Sequence, residues 1–349
     1  MNVNPTEKKY PVILITGASG FLGRRMVEEL LSPDSPLKAK KIKLLDIKPY
    51  QGISNPIIEF TQGDVQNSKL MDQLCKGVDI VIHSAAIIDW GTKSKKEVLD
   101  VNVEGTKNMI KACVKNDVKN LVFTSSLDAV FTGRPLINID ETQPYPKTHA
   151  TIYCESKMLA EQAVLNANNQ QLKTCVLRPA DIYGEADPYH IDSLIDMAKS
   201  GFYVRLGNGK AKCQHVYVGN MAYAHLLAAA TLWNGNEKIA GEVYFITDGE
   251  GANFFRFFDQ VVAGAGYKIF PKNLWLPKRL AYSIGAISEG VAVLMRPINK
   301  YNPKFSRFAV TYTCTDYTFS AKKAKKDFGF SPRYSTDQAL KNTIAYYSK

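Results

Sequence analysis

After a polar stretch from Met1 to Tyr10, the chain opens on a short apolar run, Val12-Ile-Leu-Ile-Thr16, that reads as a buried strand. The amphipathic stretch behind it predicts a helix from about Phe21 to Leu31. The alternation then repeats. Strands are expected at Ile42–Asp46, Ile57–Phe60, Asp79–His83, Asn120–Thr124 and Thr174–Leu177, with helices over Lys95–Asn116 and Ala150–Asn168. Short β-branched runs that alternate with helices predict parallel βαβ units with right-handed crossovers, hence an α/β fold with a doubly wound parallel sheet. After Arg178-Pro179 the cadence breaks: Gly and Pro become frequent and strands shorten, as at Gly241–Thr247. The division expected is an α/β domain over 1–186 and a smaller, discontinuous lobe over 187–349. Residues 213–235, with a helix at Val218–Trp233, are expected to return to the first domain. No internal repeat or low-complexity tract is present.

Two motifs carry chemistry. The first is Gly17-Ala-Ser19-Gly20-Phe21-Leu22-Gly23, placed between the first strand and the first helix. Glycines there allow a tight turn and close approach of a pyrophosphate, and the helix N-terminus offers free N–H groups to that anion. The second is Tyr153-Cys-Glu-Ser-Lys157. Residues four apart share a helix face, and an ammonium beside a phenol favours the phenolate. Of 18 tyrosines, only Tyr153 has a lysine four places on.

The spacing G-x-x-G-x-x-G resembles the extended, epimerase-like branch of the short-chain dehydrogenase/reductase superfamily. Tyr153 and Lys157 fall after the fifth strand, where that superfamily keeps its catalytic pair. The stretches Phe123-Thr-Ser-Ser126, Glu161–Leu165, Leu206–Gly209 and Tyr244–Asp248 are similar to the 3β-hydroxysteroid dehydrogenase/isomerase family. Within it they look most like sterol-4α-carboxylate 3-dehydrogenases.

The resemblance implies a Rossmann-type sheet that binds NAD through Gly17, Ser19, Gly20, Phe21, Leu22 and Gly23. Asp46, closing the second strand, can accept both ribose hydroxyls and repel a 2′-phosphate, which favours NAD over NADP; Lys48 nearby leaves room for NADP. Asp64 and Val65 match the family's adenine-contacting pair. Ser84, Ala85 and Ala86 match its small-residue stretch, Asn102 its structural asparagine, and Pro179 and Ile182 its loop beside the nicotinamide. The implied reaction has Tyr153 take the proton of a secondary alcohol while hydride passes to NAD. Lys157 holds the nicotinamide ribose and lowers the Tyr153 pKa. Ser126 bonds the reacting oxygen, with Ser125 as the alternative. The implied substrate is small, hydrophobic and steroid-like. If it carries a carboxylate beside the new ketone, loss of carbon dioxide follows.

Other readings stay open on the same scaffold. They are a sugar-nucleotide epimerase or dehydratase, an NADPH-dependent reductase of 3-oxo acids or aldehydes, and a non-catalytic dinucleotide sensor. His190 and His215 show no carboxylate or cysteine partner at ligand spacing and read as structural or pocket-lining.

The 349 residues suffice for roughly two structural units at about 150 residues each. A 45% hydrophobic and 22% charged composition excludes disordered and fibrous classes. Net charge is +11, but the basic knots at Lys38–Lys41 and Lys322–Lys326 lack interleaved aromatics, so no nucleic-acid partner is expected. The six cysteines show no C-x-x-C spacing, which signals neither a metal site nor a redox pair; reduced thiols and a cytoplasmic setting are expected. No apolar run is long and charge-free enough to span a bilayer. The segment Leu280–Met295, interrupted by Glu289 and flanked by Lys278, Arg279 and Arg296, reads either as a helix packed on the second lobe or as one lying on a membrane surface. The resemblance adds a homodimer as an expectation.

Overall fold

The computed structural model describes residues 10–89, 93–295 and 306–348. The expected polar leader up to residue 9, and Arg296, lie outside the described residues. The first half comprises β1 (Val12–Thr16), α1 (Phe21–Leu31), β2 (Lys41–Asp46), β3 (Ile58–Gln62), α2 (Ser68–Cys75) and β4 (Ile80–His83). Next come α3 (Lys95–Leu99), a π-helical turn (Asp100–Glu104), α4 (Gly105–Lys115), β5 (Asn120–Thr124), β6 (Leu136–Ile139), α5 (Ile152–Asn166), β7 (Lys173–Pro179) and β8 (Asp181–Tyr183). The remainder holds α6 (Ile191–Lys199), β9 (Arg205–Leu206), β10 (His215–Tyr217), α7 (Val218–Trp233), β11 (Glu242–Ile246) and α8 (Phe254–Gly264). It ends with β12 (Trp275–Leu276), α9 (Lys278–Met295), α10 (Arg307–Thr313), β13 (Tyr317–Phe319), α11 (Lys322–Phe328) and α12 (Thr336–Tyr347).

Seven parallel strands form one sheet in the order β11-β7-β5-β4-β1-β2-β3. The chain winds outward from β1 in one direction and from β4 in the other. The gap between these strands is the switch point, where such sheets bind ligands at their carboxyl ends. The central strands are buried on both faces, which is why β1, β4 and β5 read as near-continuous apolar runs. Helices α1 and α7 pack against each other on one face; α2, α4 and α5 cover the other. Helix α7 is apolar nearly all round and is correspondingly buried.

The long helix expected over 95–116 is interrupted by the π turn, which displaces one backbone register at Asn102. Helix α5 starts later than expected because Thr151 caps it, its hydroxyl accepting from the Cys154 amide at 3.2 Å. Helix α2, capped by Asn67, has no counterpart among the expected elements.

Beyond β7 the chain does not stay apart from the sheet: both α7 and β11 return to it. The rest forms three two-stranded pairs, β10-β8, β12-β9 and β13-β6, with α6, α8 and α12 packed around them. All six cysteines are free thiols, five of them buried. Among the described residues, no helix is long and apolar enough to cross a membrane.

Candidate active site

The turn after β1 is shaped by close approach. Gly17 has φ +73°, and a Cβ there would lie 2.9 Å from the Ala85 amide nitrogen. A Cβ at Gly23 would meet the Gly17 carbonyl oxygen at 2.0 Å. The loop therefore lies flat against β4, and α1 begins with no side chain capping its first N–H groups. Those unfilled donors, in a glycine cradle at the switch point, fit a pyrophosphate. Asp46, at the tip of β2, accepts from the Ser19 amide and the Lys48 amide, each at 2.9 Å. Its carboxylate is thus held at the rim where a ribose would lie.

A cavity of about 700 Å³ runs from this loop across the carboxyl ends of the strands. Gly17, Ser19, Gly20, Phe21, Leu22, Gly23, Asp46, Asp64, Val65, Ser84, Ala85, Ala86, Pro179 and Ile182 line it, as do Ser126, Tyr153 and Lys157. Asn102 does not. Its side chain is buried beneath, accepting from the Ile87 amide at 2.7 Å and donating to the Ile87 carbonyl and to the Ser156 hydroxyl, both at 2.9 Å. Ser156 in turn donates to the Tyr153 carbonyl at 2.8 Å. The asparagine therefore ties the segment after β4 to the first turn of α5. A second buried chain supports the loop. Thr16 donates to His83 Nδ1 at 2.7 Å, and the other ring nitrogen meets Thr106 at 3.1 Å. Burial, then the nearby Lys157 charge, pushes His83 down to about 3, so it stays neutral.

Ser126 follows β5 and caps the short turn behind it; its Oγ donates to Asp128 at 2.8 Å. Tyr153 and Lys157 reach the same place from one face of α5, and both are buried. Lys157 donates to the Thr124 carbonyl at 2.6 Å and lies 4.6 Å from the centre of the Phe123 ring. Burial lowers its pKa to about 8, opposed by Glu161 and Asp128.

One expectation needs correction. Lys157 was expected to lower the Tyr153 pKa, but here the phenol is pushed well above its ordinary value, first by burial and then by the Asp128 charge; Ser126 opposes this. Burial of the phenol is the main reason; a carboxylate also faces it, and the ammonium is directed to the Thr124 carbonyl.

His190 and His215, expected to be structural or pocket-lining, are both buried, and His190 lines the cavity; carboxylates meet both. His190 Nδ1 lies 3.4 Å from Asp187, and its Nε2 lies 3.9 Å from Asp181; His215 Nδ1 lies 3.7 Å from the same Asp181. His190 is raised to about 9 by Asp187 and Asp181 against the cost of burial, whereas burial takes His215 down to about 3. Sequence reading missed Asp128, Asp181, Tyr189 and Tyr312 as cavity residues. Asp187-x-x-His190 left a local signal, a three-residue spacing at the start of α6. Asp128 is local to Ser126, two residues away, whereas Asp181 and Tyr312 arrive through tertiary contact.

Ser125 also lines the cavity, but its hydroxyl is already engaged. It donates to Glu161, which also pairs with Arg178 and accepts from Tyr145. This buried network locks the ends of β5 and β7 to α5, and leaves Ser126 as the hydroxyl beside Tyr153.

Comparison with known proteins agrees with this geometry. The model of the 3-beta hydroxysteroid dehydrogenase/isomerase family matches residues 14–277. Short-chain dehydrogenase/reductase family 42E member 1 of Xenopus laevis is 33% identical over 96% of this chain and 88% of its own length. The decarboxylating sterol-4-alpha-carboxylate 3-dehydrogenase of Mus musculus is 32% identical over 95% of this chain and 89% of its own. Among solved structures, a dTDP-glucose 4,6-dehydratase from Streptomyces venezuelae with NAD bound shares the fold, with TM-score 0.73 at 19% identity over 96% of each chain. Since the family match spans most of the sequence, the chain belongs to the 3-beta hydroxysteroid dehydrogenase/isomerase family of extended short-chain dehydrogenases/reductases, and it is an NAD(P)-dependent oxidoreductase.

Proposed function

We propose that the protein interconverts a secondary alcohol and a ketone on a hydrophobic, steroid-like substrate, using NAD. The observation that carries this reading is the convergence of Ser126 and Tyr153 on one cavity with the glycine loop, with Lys157 behind them. Bound NAD would supply the hydride acceptor and a positive charge. The residues supply the rest. Ser126 positions the reacting oxygen by hydrogen bonding. Tyr153 takes the alcohol proton, and the phenol's resistance to ionisation makes it a strong base once deprotonated. Lys157, mostly charged at neutral pH, would hold the nicotinamide ribose. Asp46 supports NAD over NADP, because a carboxylate at the tip of β2 repels a 2′-phosphate. The cavity wall beyond Tyr153 is lined by Leu127, Tyr189 and Tyr312, apolar bodies that suit a ring system.

NADH absorbance with a panel of sterols, bile acids and 3-hydroxy acids tests the reading. Turnover with a sterol alcohol and loss of at least about a hundredfold in kcat for Tyr153→Phe is expected. Turnover of nucleotide sugars with no net NADH would replace it by the epimerase reading.

Peripheral membrane contact through α9 is part of the same proposal. Leu280, Ile284, Ile287, Val291 and Leu294 are exposed and recur at spacings of three and four, so they form one stripe. Glu289, which interrupts the apolar run, faces α10 instead, accepting from the Arg307 amide at 2.7 Å. Lys278 and Arg279 begin the helix and suit anionic head groups.

A further inference from the structure

Past Ser126 and Tyr153, the cavity meets a wall assembled from distant parts of the chain. Asp128 accepts the Ser126 proton at 2.8 Å. Asp181, on β8, accepts from Tyr312 of α10 and, at 2.6 Å, from Tyr317 of β13. His190, which begins α6, sits between Asp181 and Asp187. Asp128, Asp181 and His190 all line the cavity.

The charge balance of this wall is unusual for a site that would take an acid. Two carboxylates, Asp128 and Asp181, face the cavity beside one imidazolium, His190, which Asp187 holds from behind. Lys157 lies under Tyr153, engaged with the Thr124 carbonyl. Of the other cavity lysines, Lys93 pairs with Glu97, and Lys48 belongs to the Asp46 rim at the opposite end. Among the described residues, no arginine lines the cavity.

We propose that Asp128, backed by Asp181, makes the site select an uncharged secondary alcohol or ketone and reject one that carries a carboxylate on the carbon next to the reacting carbon. This rests on the reading of Ser126 and Tyr153 as the groups that meet the reacting oxygen. A carboxylate on the neighbouring carbon is only a few bonds from that oxygen, and Ser126 is the residue that Asp128 holds. Two like charges brought together in a low-dielectric cavity repel strongly, and one of them must take up a proton or leave. The two acids already strain against each other. Burial raises both, and Asp181 adds to the rise at Asp128, which reaches about 6. The groups facing Asp128 are Ser126 and, from α5, Tyr153, Cys154 and Lys157. Asp181 faces it from β8, His190 from the start of α6 and Tyr312 from α10. The charge of Asp128 is present above its pKa and lost below it, so the discrimination belongs to neutral and higher pH.

The test is binding rather than turnover. A 3β-hydroxysterol and its 4-carboxylate are titrated into the NADH-loaded full chain, read by fluorescence of the bound nucleotide. At about pH 7.5 the neutral sterol is expected to bind at least about tenfold more tightly. The ratio should fall at least about threefold at about pH 5.5, where Asp128 takes up its proton. Asp128→Asn should lower the ratio in the same way and remove its pH dependence. Asp181→Asn, which keeps an acceptor for one tyrosine, should move it in the same direction, and it serves where Asp128→Asn does not fold. Equal or tighter binding of the carboxylate, binding of neither compound, or a ratio indifferent to pH and to both variants overturns the proposal. Tight, selective binding of the neutral sterol without any NADH formation from NAD would instead count against the proposed reaction.

Discussion

A buried phenol beside a carboxylate is a poor acid, and Tyr153 carries both burdens. What the residue scale shows is how few side chains set the chemistry, and how each is held. Asp46 is fixed by two backbone amides, so its charge points at the ribose rim without a side-chain partner to neutralise it. Asp46→Asn keeps an oxygen for those amides and removes the charge. The ratio of NADPH to NADH affinity, measured by nucleotide fluorescence, is expected to rise at least about tenfold; an unchanged ratio would show that Asp46 does not choose the cofactor. Glu161 is the other critical carboxylate. It is fully buried, with Arg178 Nε 3.1 Å from both its oxygens. Glu161→Gln leaves the guanidinium uncompensated and should cost about 3–5 kcal/mol, read as a lower midpoint in denaturant. A companion Arg178→Met should recover part of that loss, because the orphaned charge goes with it.

At the element scale, helix boundaries follow their caps. Thr151 starts α5 so that Tyr153 sits in its first turn and Lys157 in its second, both facing the end of β5. The π turn before α4 inserts a residue, and that insertion turns the Asn102 amide toward Ile87 and Ser156. Helix α9 carries the element-scale prediction. It packs on α10 through Gly285, where a Cβ would lie 2.9 Å from the Arg307 amide nitrogen, and presents its apolar stripe outward. Sedimentation with vesicles containing phosphatidylserine is expected to carry the protein down. The double variant Leu280→Ser, Ile287→Ser should leave at least half of it in solution. If both proteins stay in solution and the wild type sediments as a dimer that the variant breaks, the stripe is a subunit interface instead.

At the scale of the whole molecule, local pattern determined a good deal. Apolar runs at β1, β4 and β5 were legible because strands buried on both faces must be apolar throughout. The glycine spacing was legible because Gly17 and Gly23 stand where a Cβ would strike backbone. The pair Tyr153 and Lys157 was legible because four residues make one helical turn. None of this depends on the rest of the chain. The sign of the Tyr153 shift, the partners of His190 and His215, and the acid wall of Asp128 and Asp181 were decided only by the tertiary structure. Asp181 meets tyrosines 131 and 136 positions away, and burial there raises its carboxyl. Charge interactions depend on distance and on the exclusion of water. Neither exists until strands from opposite ends of the chain have closed over the same space, and so the sequence alone determined the oxidoreductase family and its motifs, whereas folding decided which charges surround them.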